Sequence, residues 1–159
     1  KSIKNILDKN NIQYKTEYAP GLKGNGNGYL KYDIFIPSKN LLIEFDGEQH
    51  FRFVFHTSLE KFKIQHKYDI IKNDYIKNTK YTLIRIPYRH NVRVSRIMQA
   101  IIDKKSSETI EKFKLYLINK DQVIENNYYE EYNKNLVEYT QVSGSGEFLE
   151  KGKDIVQSI

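Results

Sequence analysis

Cysteine is absent from the 159 residues. That excludes disulfides and thiolate metal sites, and it fits a reducing, cytoplasmic interior. Long apolar runs are absent too. No stretch approaches the roughly 20 residues a membrane helix needs, so no membrane is expected as a partner. No signal-peptide pattern opens the chain, which begins on Lys1 rather than Met. A fragment, a processed form or a start upstream of Lys1 is the expectation. Proline occurs three times, in a loop, in a turn and at the end of an apolar run. What is present is a 39% apolar fraction, with 13 tyrosines and 8 phenylalanines supplying much of its bulk, and 29% charged residues. This composition describes a soluble domain able to bury a core.

The net charge of +6 is unevenly spread. Residues 50–105 carry thirteen Lys/Arg against four Asp/Glu, whereas residues 106–159 carry six against ten. A basic middle third points to a polyanion, most simply nucleic acid; the alternative is a solvated, lysine-rich helix face.

Periodicity orders the chain. Ile3, Ile6 and Leu7 predict a helix over 2–9, and alternation in 12–18 predicts a strand. The glycine-rich 20–28 reads as a loop that could also enter a groove, and strands follow at 29–36 and 41–46, joined by a turn at 37–40. Thr57 and Glu60 read as a capping box ahead of a helix over 58–78, with Phe62, Tyr68, Ile71 and Tyr75 among its buried positions. A strand at 81–87 ends on Pro87, and Val94, Ile97, Met98, Ile101 and Ile102 form the stripe of a helix over 92–104. The expected fold class is mixed α/β (α+β), a four-stranded sheet flanked by helices. It divides into a core at 1–105 and a C-terminal helical extension at 106–159. Within the extension, 107–119 reads as a helix, 142–147 as a flexible joint and the last twelve residues as a closing helix.

The stretch "YDIFIPSKNLLIEFDGEQHF" (32–51) sets acids inside two strands. Glu44 and Asp46 are two residues apart and share a face, while Ile43 and Phe45 point the other way. The turn folds Asp33 back beside them. Clustered carboxylates raise one another's pKa, and a hard divalent cation removes that penalty. The other reading is acids solvated or paired with Lys and Arg. On the helix after them, Gln65, Asp69 and Lys72 share one face, so Lys72 either reaches the acids or pairs with Asp69 in solvent. His50 reads as a general acid–base or a loop hydrogen-bonding group. His66 reads as a surface residue, and Glu17 as an outer carboxylate.

Asp33, the run Ile43, Glu44, Asp46, Gly47, Gln49 and His50, and the later "YDIIKNDYIKNTKYTLIRIPY" together resemble the PD-(D/E)XK nuclease superfamily. The branch resembled is that of the very-short-patch-repair-like, phage and homing endonucleases. The resemblance covers roughly 1–105. It implies a restriction-endonuclease-like core and a Mg²⁺- (or Mn²⁺-) dependent endonuclease hydrolysing double-stranded DNA, with Asp33 and Glu44 as metal ligands. Asp46 stands where the signature usually has Lys. Either Asp46 is a further ligand, or the cationic role has moved to Lys72, His50 or Gln49. The alternative to an enzyme is a nuclease-fold module that binds DNA or protein without cutting. The resemblance also places an additional acid at or before Lys1.

Arg85, Arg89, Arg93 and Arg96, interleaved with Tyr88 and His90, suit phosphate contact and stacking and are the expected DNA-binding strip. The acidic extension is expected to dock on the basic core or to meet a second copy or another protein.

Overall fold

Ile36 and Leu41 face each other across a one-turn reversal, Pro37–Lys39. Asn40 closes it with φ 48°, and its N–H donates to the Pro37 carbonyl at 3.1 Å. Asparagine tolerates this left-handed conformation better than most L-residues. The computed structural model, which describes residues 2–26, 28–51, 58–103, 106–121 and 125–142, builds a five-stranded sheet around this hairpin. Its order is β1-β2-β3-β4-β5. The strands are β1 (Lys15–Tyr18), β2 (Tyr32–Ile36), β3 (Leu41–Asp46), β4 (Thr82–Pro87) and β5 (Tyr116–Ile118). β3 and β4 are parallel and the other neighbours antiparallel. A parallel pair needs a long crossover, and α2 (Leu59–Lys77) lies within it.

The fifth strand is one more than expected. It comes from the segment read as a helix over 107–119. The helix there, α4 (Ser106–Phe113), stops at Lys114, whose φ is 52°, and the Leu115 N–H turns back to the Ile110 carbonyl at 3.0 Å. A left-handed residue with such a bond is a helix terminator. Leu115, Tyr116, Leu117 and Ile118 are then all buried, so the run works as a strand covered on both faces.

One face of the sheet is aliphatic. Ile34, Ile36, Ile43, Ile84 and Ile86 pack on α1 (Ser2–Lys9) and α3 (Val94–Ile102) through Leu7, Ile97, Met98 and Ile101. The stripe read for α3 is therefore its core face. The other face carries Phe35, Leu42, Leu83 and Ile118 beneath Ile76 of α2.

α2 is capped one residue later than read. Ser58 Oγ accepts the Lys61 N–H at 3.1 Å, and Thr57 lies outside the described residues. Its buried face is also different. Phe62 is buried as expected, but its companions are His66, Asp69, Lys72, Asn73 and Ile76, while Tyr68, Ile71 and Tyr75 are half-buried. Over most of its length α2 presents polar groups to the sheet, because the sheet offers it carboxylates and an arginine there.

α5 (Glu125–Val142) belongs to the predicted extension and docks on α2. Tyr132 packs on Phe62, with ring centroids 4.7 Å apart, and lies flat on the His66 ring at 3.5 Å. Asn135 Nδ2 donates to the Phe51 carbonyl at 2.8 Å. His66 is thus a buried stacking partner and not a surface group. The predicted joint beyond 142 and the closing helix lie outside the described residues.

Candidate functional site

The β2–β3 ladder runs from Ile36↔Leu41 to Ile34↔Ile43. Beyond it the strands exchange side-chain bonds instead. The Asp33 N–H donates to Glu44 Oε1 at 2.8 Å, and the Phe45 N–H donates to Asp33 Oδ2 at 2.7 Å. On the other side of Asp33, Glu17 interrupts β1 with a φ of 49°. It falls between the pairs Thr16↔Ile34 and Tyr18↔Tyr32, opposite Asp33. Buried-sheet N–H groups must find acceptors, and here two carboxylates provide them. This fixes Asp33, itself exposed, beside a buried Glu44.

Parallel register sets Glu44 beside Arg85 of β4 and Asp46 beside Pro87. α2 closes over them. Lys72 Nζ meets Glu44 Oε2 at 2.6 Å, and Arg85 Nη1 meets Asp46 Oδ1 at 2.9 Å. Arg85 Nη1 also lies 3.6 Å from Asp69 Oδ1 and 4.0 Å from Glu44 Oε2, and its Nε donates to Asn73 Oδ1 at 2.8 Å. His50 Nδ1 is 2.8 Å from Asp69 Oδ2 and 3.6 Å from Asp46 Oδ1. Gln65 Nε2 completes Asp69 at 3.2 Å. Tyr32 covers the cluster: its hydroxyl donates to the Lys72 carbonyl at 2.8 Å, and the Lys72 ammonium lies 5.0 Å from its ring centre.

Three buried carboxylates (Glu44, Asp46, Asp69) thus face Lys72, Arg85 and His50. Burial pulls the His50 imidazole down, but the Asp46 charge and the hydrogen bond and charge of Asp69 outweigh it, so its pKa is raised. Burial pushes the Glu44 carboxyl up, against the opposing pull of Lys72 and Arg85. Unpaired, such charges would cost several kcal/mol each.

Arg85 needs correction. Read as part of a DNA-binding strip, it is fully buried and committed to Asp46 and Asn73. A guanidinium beneath a helix cannot meet a phosphate backbone. Arg89, Arg93 and Arg96 are exposed, and Arg89 is held by the Lys114 carbonyl at 2.9 Å and by the Tyr116 ring. The pairing of Lys72 with Asp69 in solvent is also replaced, since Lys72 is buried and bonds Glu44. Asn73 and Tyr32 went unread as site residues. The signal for Asn73 is its place in the polar stripe 65-69-72-73 of α2, which has helical spacing.

Among the described residues, no three Asp, Glu, His or Cys side chains are grouped so as to hold a metal ion. The acids do not form a cage made by protein alone. An ion that takes one or two carboxylates and fills its shell with water and phosphate, as Mg²⁺ commonly does, needs no such cage. Asp33 is exposed, and Asp46 Oδ2 is a buried acceptor without a hydrogen-bond partner. Asp46 also lines a cavity of about 250 Å³ with Phe45, Gly47, Glu48 and Tyr88.

A 66-residue segment is 36% identical to "Uncharacterized protein 307L" of Invertebrate iridescent virus 6, a match that takes in 40% of this chain and 34% of the viral protein. The chain therefore spans about a third of that relative's length. No family model matches the sequence, and no solved structure matches it. No helix among the described residues is long and apolar enough to cross a membrane.

Proposed function

We propose that the chain is a PD-(D/E)XK-like, Mg²⁺- or Mn²⁺-dependent endonuclease acting on double-stranded DNA in the cytoplasm, in which Lys72 replaces the signature lysine displaced by Asp46. The observation that carries this reading is the 2.6 Å contact between Lys72 Nζ and Glu44 Oε2. It brings an ammonium from α2 to the acid pair, where the local sequence has none to offer. Asp33 and Asp46, with Glu44 beside them, would hold the ion. Bound there, the metal would polarise the scissile phosphate and favour a hydroxide nucleophile. Lys72 then counters charge on the phosphate. Arg85 holds Asp46 in place, and Asp69 orients His50 through Nδ1 for acid–base work. The similarity to a viral protein supports a viral or mobile-element origin.

A second reading has its own observation. Glu44 and Asp46 already sit in ion pairs, as they would in a nuclease-fold module that binds DNA, a second copy or another protein without cutting. Incubation of supercoiled and branched DNA with Mg²⁺ or Mn²⁺ separates the two. The nuclease reading predicts cutting by the parent and a loss of at least about a hundredfold in Asp33→Ala and Glu44→Ala, the scale of losing an electrostatic stabiliser. Metal-dependent cutting that persists in both variants rejects the site. Binding by the parent without cutting favours the module.

A further inference from the structure

The sequence predicts a loop over 20–28 and a strand from 29, yet the segment between β1 and β2 is built differently. Lys23 and Tyr29 form an antiparallel bridge, and the Leu30 N–H donates to the Leu22 carbonyl at 2.7 Å. Leu22 packs under the hairpin with Tyr18 against the sheet. The tip rests on α2: the Asn25 N–H donates to Tyr68 Oη at 3.0 Å. A Cβ on Gly24 would come within 2.8 Å of the Tyr68 ring, so glycine is what allows this approach. Tyr29 stays 53% exposed on this anchored frame, with the Lys23 ammonium 5.7 Å from its ring centre and exposed Lys31 two residues on. A solvated loop has no need to be bridged, seated on a helix and crowned by an exposed aromatic ring with a lysine ammonium beside it.

Topology gives the hairpin a direction. It feeds β2, whose second residue is Asp33. It is seated on Tyr68, one helical turn before Lys72. β3 and β4 end at the same edge of the sheet, and the segment carrying Arg89, Arg93 and Arg96 leaves β4 there. In the order β2-β3-β4, the strand the hairpin feeds and the strand the arginine segment leaves therefore flank the Asp46 end of β3, two strand spacings apart, about 10 Å.

We infer that Tyr29, Lys23 and Lys31, carried on the strands bridged at Lys23 and Tyr29, grip an unpaired stretch of a DNA strand, with Tyr29 stacked on a base and Lys23 and Lys31 on phosphates. The strand then crosses Asp33 and Asp46 toward Arg89, Arg93 and Arg96. The substrate is DNA with unpaired bases beside a duplex, because a base inside an intact duplex offers no free face for stacking. The course past Asp33 rests on the nuclease reading; the grip itself does not.

Fluorescence anisotropy in EDTA, with a duplex carrying splayed unpaired arms and a fully paired duplex of equal length, reads the grip without cleavage. Tyr29→Ala should weaken binding to the splayed duplex by about tenfold, the scale of one stacked base, and leave the paired duplex within about twofold. Tyr29→Phe should bind as the parent does. The ring is exposed, so Tyr29→Ala should melt with the parent. No binding by the parent, equal affinity for both duplexes, or a Tyr29→Ala variant that binds like the parent overturns the inference. A parent that binds through Tyr29 but never cuts removes the nuclease reading alone. A parent that cuts while Tyr29→Ala binds unchanged removes the grip alone.

Discussion

Arg85 shows how one residue's meaning depends on its neighbours. Beside Arg89, Arg93 and Arg96 it reads as a phosphate contact. Its place between Ile84 and Ile86 on a central strand carried the better signal, since both faces of that strand are covered. It joins Asp46, Asp69 and Asn73, so its removal strands buried carboxylates. Arg85→Met should lower stability by roughly 3–5 kcal/mol, the range for breaking a buried ion pair from one side, measured by urea unfolding at neutral pH. Arg93→Ala should leave stability within about 0.5 kcal/mol, as an exposed position does. The acids were more legible than the arginine. Alternation on a strand put Glu44 and Asp46 on one face, and the turn brought Asp33 to Glu44. What stayed hidden was that Asp33 and Glu44 each bond the other strand's backbone, because that depends on where the ladder breaks.

At the scale of elements, α2 and α5 were the hardest to read. An apolar stripe marks a core face only when the core is apolar, and α2 faces Glu44, Asp46 and Arg85 with Asp69, Lys72 and Asn73. β5 was missed because a three-residue strand after a helix has no periodicity of its own, and only the left-handed Lys114 separates the two. The α2–α5 contact carries a pH dependence. Burial against Tyr132 lowers His66 from 6.5 to about 4, against a smaller raising effect of Asp69. The unfolded chain therefore takes up this proton first as pH falls. His66 leaves stability intact above about 6.5 and erodes it down to about 4, by roughly 3 kcal/mol in all. The raised His50 has the opposite sign: its contribution is present below about 6.5 and lost as pH rises through its folded value. Comparison with His66→Phe, which keeps a ring against Tyr132, isolates the first effect. Denaturant unfolding should show the variant gaining on the parent as pH falls from about 7 to 4; a constant difference would contradict the buried neutral histidine.

Over the whole molecule, exposed cations are spread widely, and Lys23, Lys31, Arg89, Arg93 and Arg96 lie on the segments that lead into β2 and out of β4. DNA affinity should fall steeply with salt, and Arg93→Ala and Arg96→Ala should each reduce the log–log salt slope by about 1. The sheet, its hairpin and the crossover were legible because periodicity and turn chemistry agree over 32–46 and 82–102. The charge cluster was legible only in part, because its partners come from β4 and α2, about forty and thirty residues from the acids along the chain. The central claim is that Lys72 supplies the cation Asp46 displaces. Its most direct test is Mg²⁺-dependent, single-turnover cleavage by the parent and by Lys72→Met, assayed below the melting transition of the variant. The account predicts a parent that cuts and a variant slowed by at least about a hundredfold. A parent that does not cut, or a variant that cuts at the parent's rate, would contradict it.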